Sequence, residues 1–210
     1  MNNKPSARPA LAAAALLGAF SLSGCASSPE PRNYVFAPGD GWRNVAVRES
    51  STSAYTVRFA PIRLPAYLDR PQIVTRTTAT EIKVDQFHRW GIPLDMTVTE
   101  LLGTSLAQSI PEAYVDVMPS RTRRANGYLV SVDIVRLDGF LGGPVELVAQ
   151  WQVENTGDIN ETMVAPRLAR YQFECTGSTY EDYVNAIREV VSALGIDIAK
   201  TLQGVAGKAE

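Results

Sequence analysis

His88 is the only histidine in the chain, and so the only imidazole available as a general base or metal ligand. No serine lies in a G-x-S-x-G nucleophile elbow, the sharp strand-to-helix turn that would lift a hydroxyl toward substrate. His88 stands between Phe87 and Arg89 at the end of a strand pattern, where a surface or half-buried structural histidine is expected. Gly139, Gly142 and Gly143 are not followed by the Lys-Ser/Thr pair of a phosphate loop, so they read as a turn. One histidine and two cysteines are too few soft ligands for a structural zinc site. Cys175 shares a strand face with Tyr171 and Phe173 and has no electropositive setting, so it reads as a small buried hydrophobe and not a redox thiol. These residues predict no enzyme, no metal and no cofactor.

Cys25 is the residue whose surroundings do predict chemistry. Lys4 and Arg8 are the only charges before it, and an apolar run extends from Ala10 to Phe20. That run is about half the ~20 residues needed to span a bilayer, so it reads as the core of a signal peptide. It ends in Leu22-Ser23-Gly24-Cys25, which resembles the lipobox of bacterial lipoproteins. The resemblance implies that Cys25 is diacylated on sulfur, that the chain is cut on its N-terminal side, and that the new amine is acylated. The competing reading is an ordinary signal peptide whose cleavage site happens to hold a cysteine.

Cleavage there removes Lys4 and Arg8, two of the 20 basic residues, and none of the 22 acids, so a formal charge of −2 becomes −4. An acidic domain offers no basic nucleic-acid surface and is mildly repelled by anionic lipid. Attachment should therefore come from the acyl chains, of which two or more are needed for stable binding. Lipidation leaves Cys175 alone, with no intramolecular disulfide to make. Ala26–Arg32 is a polar, proline-containing linker that reaches at most ~25 Å, which keeps the domain close to the leaflet. Ala26 after the lipidated cysteine, where inner-membrane lipoproteins commonly carry Asp, implies an outer-membrane anchor with the domain facing the periplasm.

The elements that follow are legible from periodicity. The 210 residues are 45% apolar and 20% charged, an ordinary globular composition. The expected organisation is a signal peptide over 1–24, a lipidated cysteine and linker over 25–32, one domain over 33–204, and a flexible tail over 205–210. Asn33–Phe36 reads as a short strand, Gly39–Ser53 as a polar loop, and Tyr55, Val57 and Phe59 as the inward face of a second strand. Pro61–Pro71 is too rich in proline for a ladder strand and reads as an ordered loop. Ile73–Thr77 and Glu81–Gln86 form a hairpin pattern, Leu94, Val98, Leu101, Leu102 and Leu106 fall at helical spacing, and Tyr114–Val117 is a short strand. Alternating runs over Tyr128–Ile134, Val145–Val153 and Leu168–Cys175 predict a meander. A long helix then follows, capped by Ser178 or Thr179, with Tyr180, Tyr183, Val184, Ile187, Val190, Val191, Leu194 and Ile198 on one stripe. The predicted class is α+β: an antiparallel sheet of about five to seven strands packed against two helices.

Two segments carry a more specific likeness: Leu64-Pro-Ala-Tyr-Leu-Asp-Arg-Pro-Gln-Ile-Val-Thr-Arg76, and Phe87-His-Arg-Trp-Gly-Ile-Pro-Leu94. With the lipobox, the early Tyr34 strand, the meander and the C-terminal helix, they resemble the ABC-type transport auxiliary lipoprotein family of PqiC-like domains. Ile92 departs from the polar residue expected before Pro93-Leu94. The resemblance implies a non-catalytic accessory subunit of an intermembrane lipid transport system. Its partner would be a mammalian-cell-entry (MCE) domain protein that forms a lipid-conducting tube. The alternative is a stand-alone outer-membrane lipoprotein that binds a small ligand or stabilises another envelope assembly.

Leu64, Tyr67 and Leu68 form an apolar loop between prolines, which makes them the candidate partner-binding surface, with self-association on the same surface kept beside it. Packing of that loop across the sheet is the competing reading. Phe87 and Trp90 are either core under the first helix or exposed anchors, and Arg121, Arg123 and Arg124 are a solvated basic turn or a contact for anionic groups.

Overall fold

Alternation of Thr56 and Arg58 with Tyr55, Val57 and Phe59 suits a pleated segment, and these residues form a strand of the larger sheet, one place in from its edge. A computed structural model describes residues 29–36, 53–117, 127–156 and 164–207. The lipobox, Cys25, most of the 39–53 loop and the arginines 121, 123 and 124 lie outside the described residues.

In chain order the elements are β1 (Arg32–Tyr34), β2 (Tyr55–Phe59), β3 (Gln72–Arg76), β4 (Ile82–Trp90), α1 (Leu94–Ser109), β5 (Ala113–Asp116), β6 (Gly127–Gly139), β7 (Pro144–Asn155), β8 (Val164–Glu174) and α2 (Tyr180–Ala206). The α+β class and the two helices are as the sequence predicts. The strands divide between two sheets, ordered β1-β4-β3 and β5-β2-β6-β7-β8. Neither is purely antiparallel. β2 runs parallel to both β5 and β6, and β1 runs parallel to β4. The chain from β2 to β5 passes through the β3–β4 hairpin and α1, and a crossover of that length is what a parallel pair requires.

The meander is antiparallel throughout, with β6 against β7 and β7 against β8. Its register shifts between Ile134 and Arg136, where Val135 stands 56% exposed. The extra residue flips the inward phase from Val130, Val132 and Ile134 to Leu137. β4 is longer than its hairpin pattern predicts. It continues to Trp90 because β1 pairs alongside, Arg32 with His88 and Tyr34 with Trp90.

Val98, Leu102 and Leu106 of α1 are fully buried, as is the stripe of α2 from Tyr183 to Ile198. The helices pack closely at Gly195, where a Cβ would lie 2.6 Å from that of Ser105. Thr179 caps α2. Its side chain accepts from the Asp182 amide while the Asp182 carboxylate accepts from the Thr179 amide, a reciprocal capping box. At the other end α2 runs through Gly204 to Ala206, into the segment expected as a tail. Leu202 is buried, Val205 and Ala206 pack on the core, and the Gln203 side-chain Nε2 donates to the Ser109 carbonyl, so the last turn has contacts that keep it helical. The Tyr183 hydroxyl donates to the Val74 carbonyl at 2.9 Å and ties α2 to the smaller sheet.

Candidate functional site: a groove between two loop segments

Pro65 and Pro71 leave the chain between them few conformations, and it closes into tight turns. The Leu68 amide donates to the Pro65 carbonyl at 2.9 Å and the Arg70 amide to the Leu68 carbonyl at 2.8 Å. The loop is then tied to the end of β4, where the Trp90 amide donates to the Pro71 carbonyl at 2.7 Å. Gly91 follows because β1 passes close by. A Cβ there would stand 2.5 Å from Val35 Cγ1, and the Gly91 amide donates to the Tyr34 carbonyl at 2.7 Å. Pro93 opens α1, and Leu94 turns inward.

These segments enclose a groove of about 350 Å³. Leu68, Trp90 and Leu94 are buried and make its floor, and Leu64 and Ile92 are half-buried in its walls. Asp69 and Arg70 are exposed and are the two charged residues that line it among the described residues. The two segments singled out in the sequence therefore meet in one place.

Of the three residues predicted to dock a partner, Leu68 is 4% exposed and belongs to the core. The Pro65 turn points it under the chain, where it is part of the groove floor. Leu64 and Tyr67 are half-buried against the core. Phe87 and Trp90 separate as strand alternation requires of residues three apart: Trp90 is 7% exposed and Phe87 41%.

A charged network lies beneath the loop, and sequence reasoning missed it. Asp138 of β6 is 0% exposed and accepts from Tyr67 (2.6 Å), from Arg76 (2.5 and 2.9 Å) and from Arg136 (2.8 Å). Arg136 also pairs with Glu146, which pairs with Arg170 nearer the surface. Burial works against the Asp138 charge. The hydrogen bonds from Arg76, Tyr67 and Arg136 outweigh it and hold the carboxyl below its ordinary value. Asp138 in a strand that otherwise reads as core was the available signal, since a buried acid demands partners.

His88 is packed and not poised. Its ring stacks on Tyr180, with centroids 3.8 Å apart and planes at 15°, and the Tyr34 hydroxyl lies 2.7 Å from Nδ1. Asp85 accepts from the Tyr180 hydroxyl and from the amides of Phe87 and His88. That leaves His88 with an aromatic and hydrogen-bonding role in joining β1, β4 and α2. Cys175 is half-buried, with Sγ 3.8 Å from the Phe140 carbonyl. Among the described residues no group of three or more His, Cys, Asp or Glu could hold a metal ion, and no helix is long and apolar enough to cross a membrane.

A family model described as the ABC-type transport auxiliary lipoprotein component matches residues 43–199. No curated protein matches the sequence. A crystal structure of an uncharacterized protein superposes with a TM-score of 0.63 at 16% identity, covering 74% of this chain and 96% of that one. A protein from Xanthomonas campestris superposes with a TM-score of 0.57 at 12% identity, covering 86% and 96%. At these identities the two structures share the fold.

Proposed function

The chain belongs to the ABC-type transport auxiliary lipoprotein family, and from that premise we propose that it is a non-catalytic accessory subunit of an MCE-protein intermembrane lipid transport system. It is held by acyl chains on Cys25 in the outer membrane and faces the periplasm. The observation that carries this reading is the convergence of residues 64–71 and 90–94 on one apolar groove. A docking loop borne on a rigid support needs little ordering on binding, and Tyr67 is pinned from below by Asp138. Leu64 and Tyr67 remain the proposed contacts of the loop with a partner, and Leu68 supports them from the core.

The test is recovery of an MCE-domain protein with the lipidated chain from detergent-solubilised membranes. Its absence, with the chain intact and lipidated, would overturn the accessory role. Cys25→Ser should block processing and membrane attachment; normal maturation of that variant would overturn the anchor. Ala26→Asp should move the protein from outer-membrane to inner-membrane fractions. A wild-type protein found only with inner-membrane markers would reverse the assignment.

A second reading, a stand-alone outer-membrane lipoprotein that binds a small ligand or stabilises another assembly, is favoured by the size of the groove, which falls at the lower end of small-molecule sites. The same recovery experiment separates the two readings.

A further inference from the structure

The groove has a floor of Leu68, Trp90 and Leu94, an apolar wall at Ile92 and, among the described residues, charge only at Asp69 and Arg70. Those two neighbours carry opposite signs and both face solvent. An extended apolar ligand with a zwitterionic end matches this arrangement. An anionic ligand would meet Asp69 and a domain of net negative charge. The position of the groove along the chain supplies the second argument. β1 begins at Arg32, and Tyr34 pairs with Trp90 in the groove floor. Nine Cα-to-Cα steps lead from Cys25 to Tyr34 and span at most ~32 Å, comparable with the hydrocarbon thickness of one bilayer. A lipidated chain therefore keeps the groove within reach of the leaflet, where phospholipid is the most concentrated apolar ligand.

We propose that this groove takes one acyl chain of a zwitterionic phospholipid, with the phosphate at Arg70 and the ammonium at Asp69. The proposal rests on the lipid-transport reading and names the ligand class that the accessory subunit itself holds. The acyl chain covers the apolar floor, and a partner meets the outer side of the 64–71 loop.

The experiment uses the full-length lipidated protein in phosphatidylethanolamine vesicles. The vesicles are doped with a phosphatidylethanolamine that carries a photoreactive diazirine in one acyl chain. After irradiation and digestion, the labelled peptides should be those containing 64–71 and 90–94. Ile92→Glu should reduce that labelling at least tenfold while the melting temperature stays near wild type. Should Ile92→Glu fail to fold, Arg70→Glu at the exposed rim replaces it, with a several-fold loss expected. Label spread over exposed apolar positions such as Val135 and Leu168, or unchanged by either variant, would overturn the proposal. So would groove labelling seen only in Cys25→Ser, because the protein's own acyl chain would then be the occupant. Recovery of MCE protein is scored on the same preparations. A labelled groove without MCE protein overturns the accessory role alone, and MCE protein without a labelled groove overturns the groove assignment alone.

Discussion

The Tyr67 hydroxyl donates to Asp138 Oδ2 at 2.6 Å, joining residues 71 positions apart in the chain. Asp138 is fully buried, so the bond points Tyr67 inward and fastens the proline-bounded loop to β6. Burial, and then Asp138 itself, push the Tyr67 phenol well above its ordinary range, which keeps it a donor at all physiological pH. One side chain thereby adds to the backbone bonds that hold the loop carrying Leu64 and Leu68.

Tyr67→Phe should lower stability by ~1–2 kcal/mol, because Asp138 keeps its arginines and loses one neutral donor. Tyr67→Ala should lose about 3 kcal/mol through the missing ring as well. Urea melts of both variants check this. A Tyr67→Ala protein that melts like wild type would show that this side chain does not hold the loop to β6.

Asp138→Asn should cost ~3 kcal/mol or more at neutral pH, since it leaves Arg76 and Arg136 without their shared charge. The pH dependence follows from the direction of the shift. The native carboxyl titrates below its ordinary 3.8, so its contribution is full above that value and is lost as pH falls through the native value. Stability of the wild type should therefore fall more steeply below about pH 4 than that of Asp138→Asn. Parallel curves from pH 3 to 7 would show that Asp138 does not carry the effect.

His88→Ala should leave the fold and partner recovery intact while lowering stability by ~1–2 kcal/mol, from the lost stack on Tyr180 and the lost partner of the Tyr34 hydroxyl. The damage should be local to β1. Exchange of the Gly91 amide, bonded to the Tyr34 carbonyl, should speed up most. Loss of transport with an intact melt would reopen a chemical role for the imidazole.

Cys175 should react slowly with a thiol reagent at pH 7. Burial pushes its thiol up, and the amides of Gly142 and Gly143 offset this only in part, so thiolate is scarce until the pH rises above the ordinary thiol range. Unfolding in urea should speed the reaction at least tenfold. Equal rates in native and unfolded protein would show a thiol open to solvent.

Much of the local structure was legible because periodicity reports which face of an element is apolar. The stripe from Tyr180 to Ile198 translates directly into an inward face and α2 begins at Thr179, one of the two caps the residue types offered, whereas on Tyr55–Phe59 the outward-phase Thr56 is buried as well. The lipobox order, read by resemblance, is likewise a local pattern.

Pairing is not local, and periodicity does not report it. Nothing in Tyr55–Phe59 says that β2 lies parallel to both its neighbours, because the same inward face serves either direction. Phe87 and Trp90 had to face opposite ways three residues apart on a strand, yet which one turned inward depended on β1 and α1 arriving beside Trp90. Leu68 reads as an exposed loop residue until the Pro65 turn places it in the core. The groove forms where the Trp90 amide closes on the Pro71 carbonyl, and the loop along it is fastened by the Tyr67 bond to a buried acid on β6, 71 residues away. Local periodicity determined the elements and their faces, whereas desolvation of Asp138 and the packing of Trp90, satisfied only between distant segments, decided where the site stands.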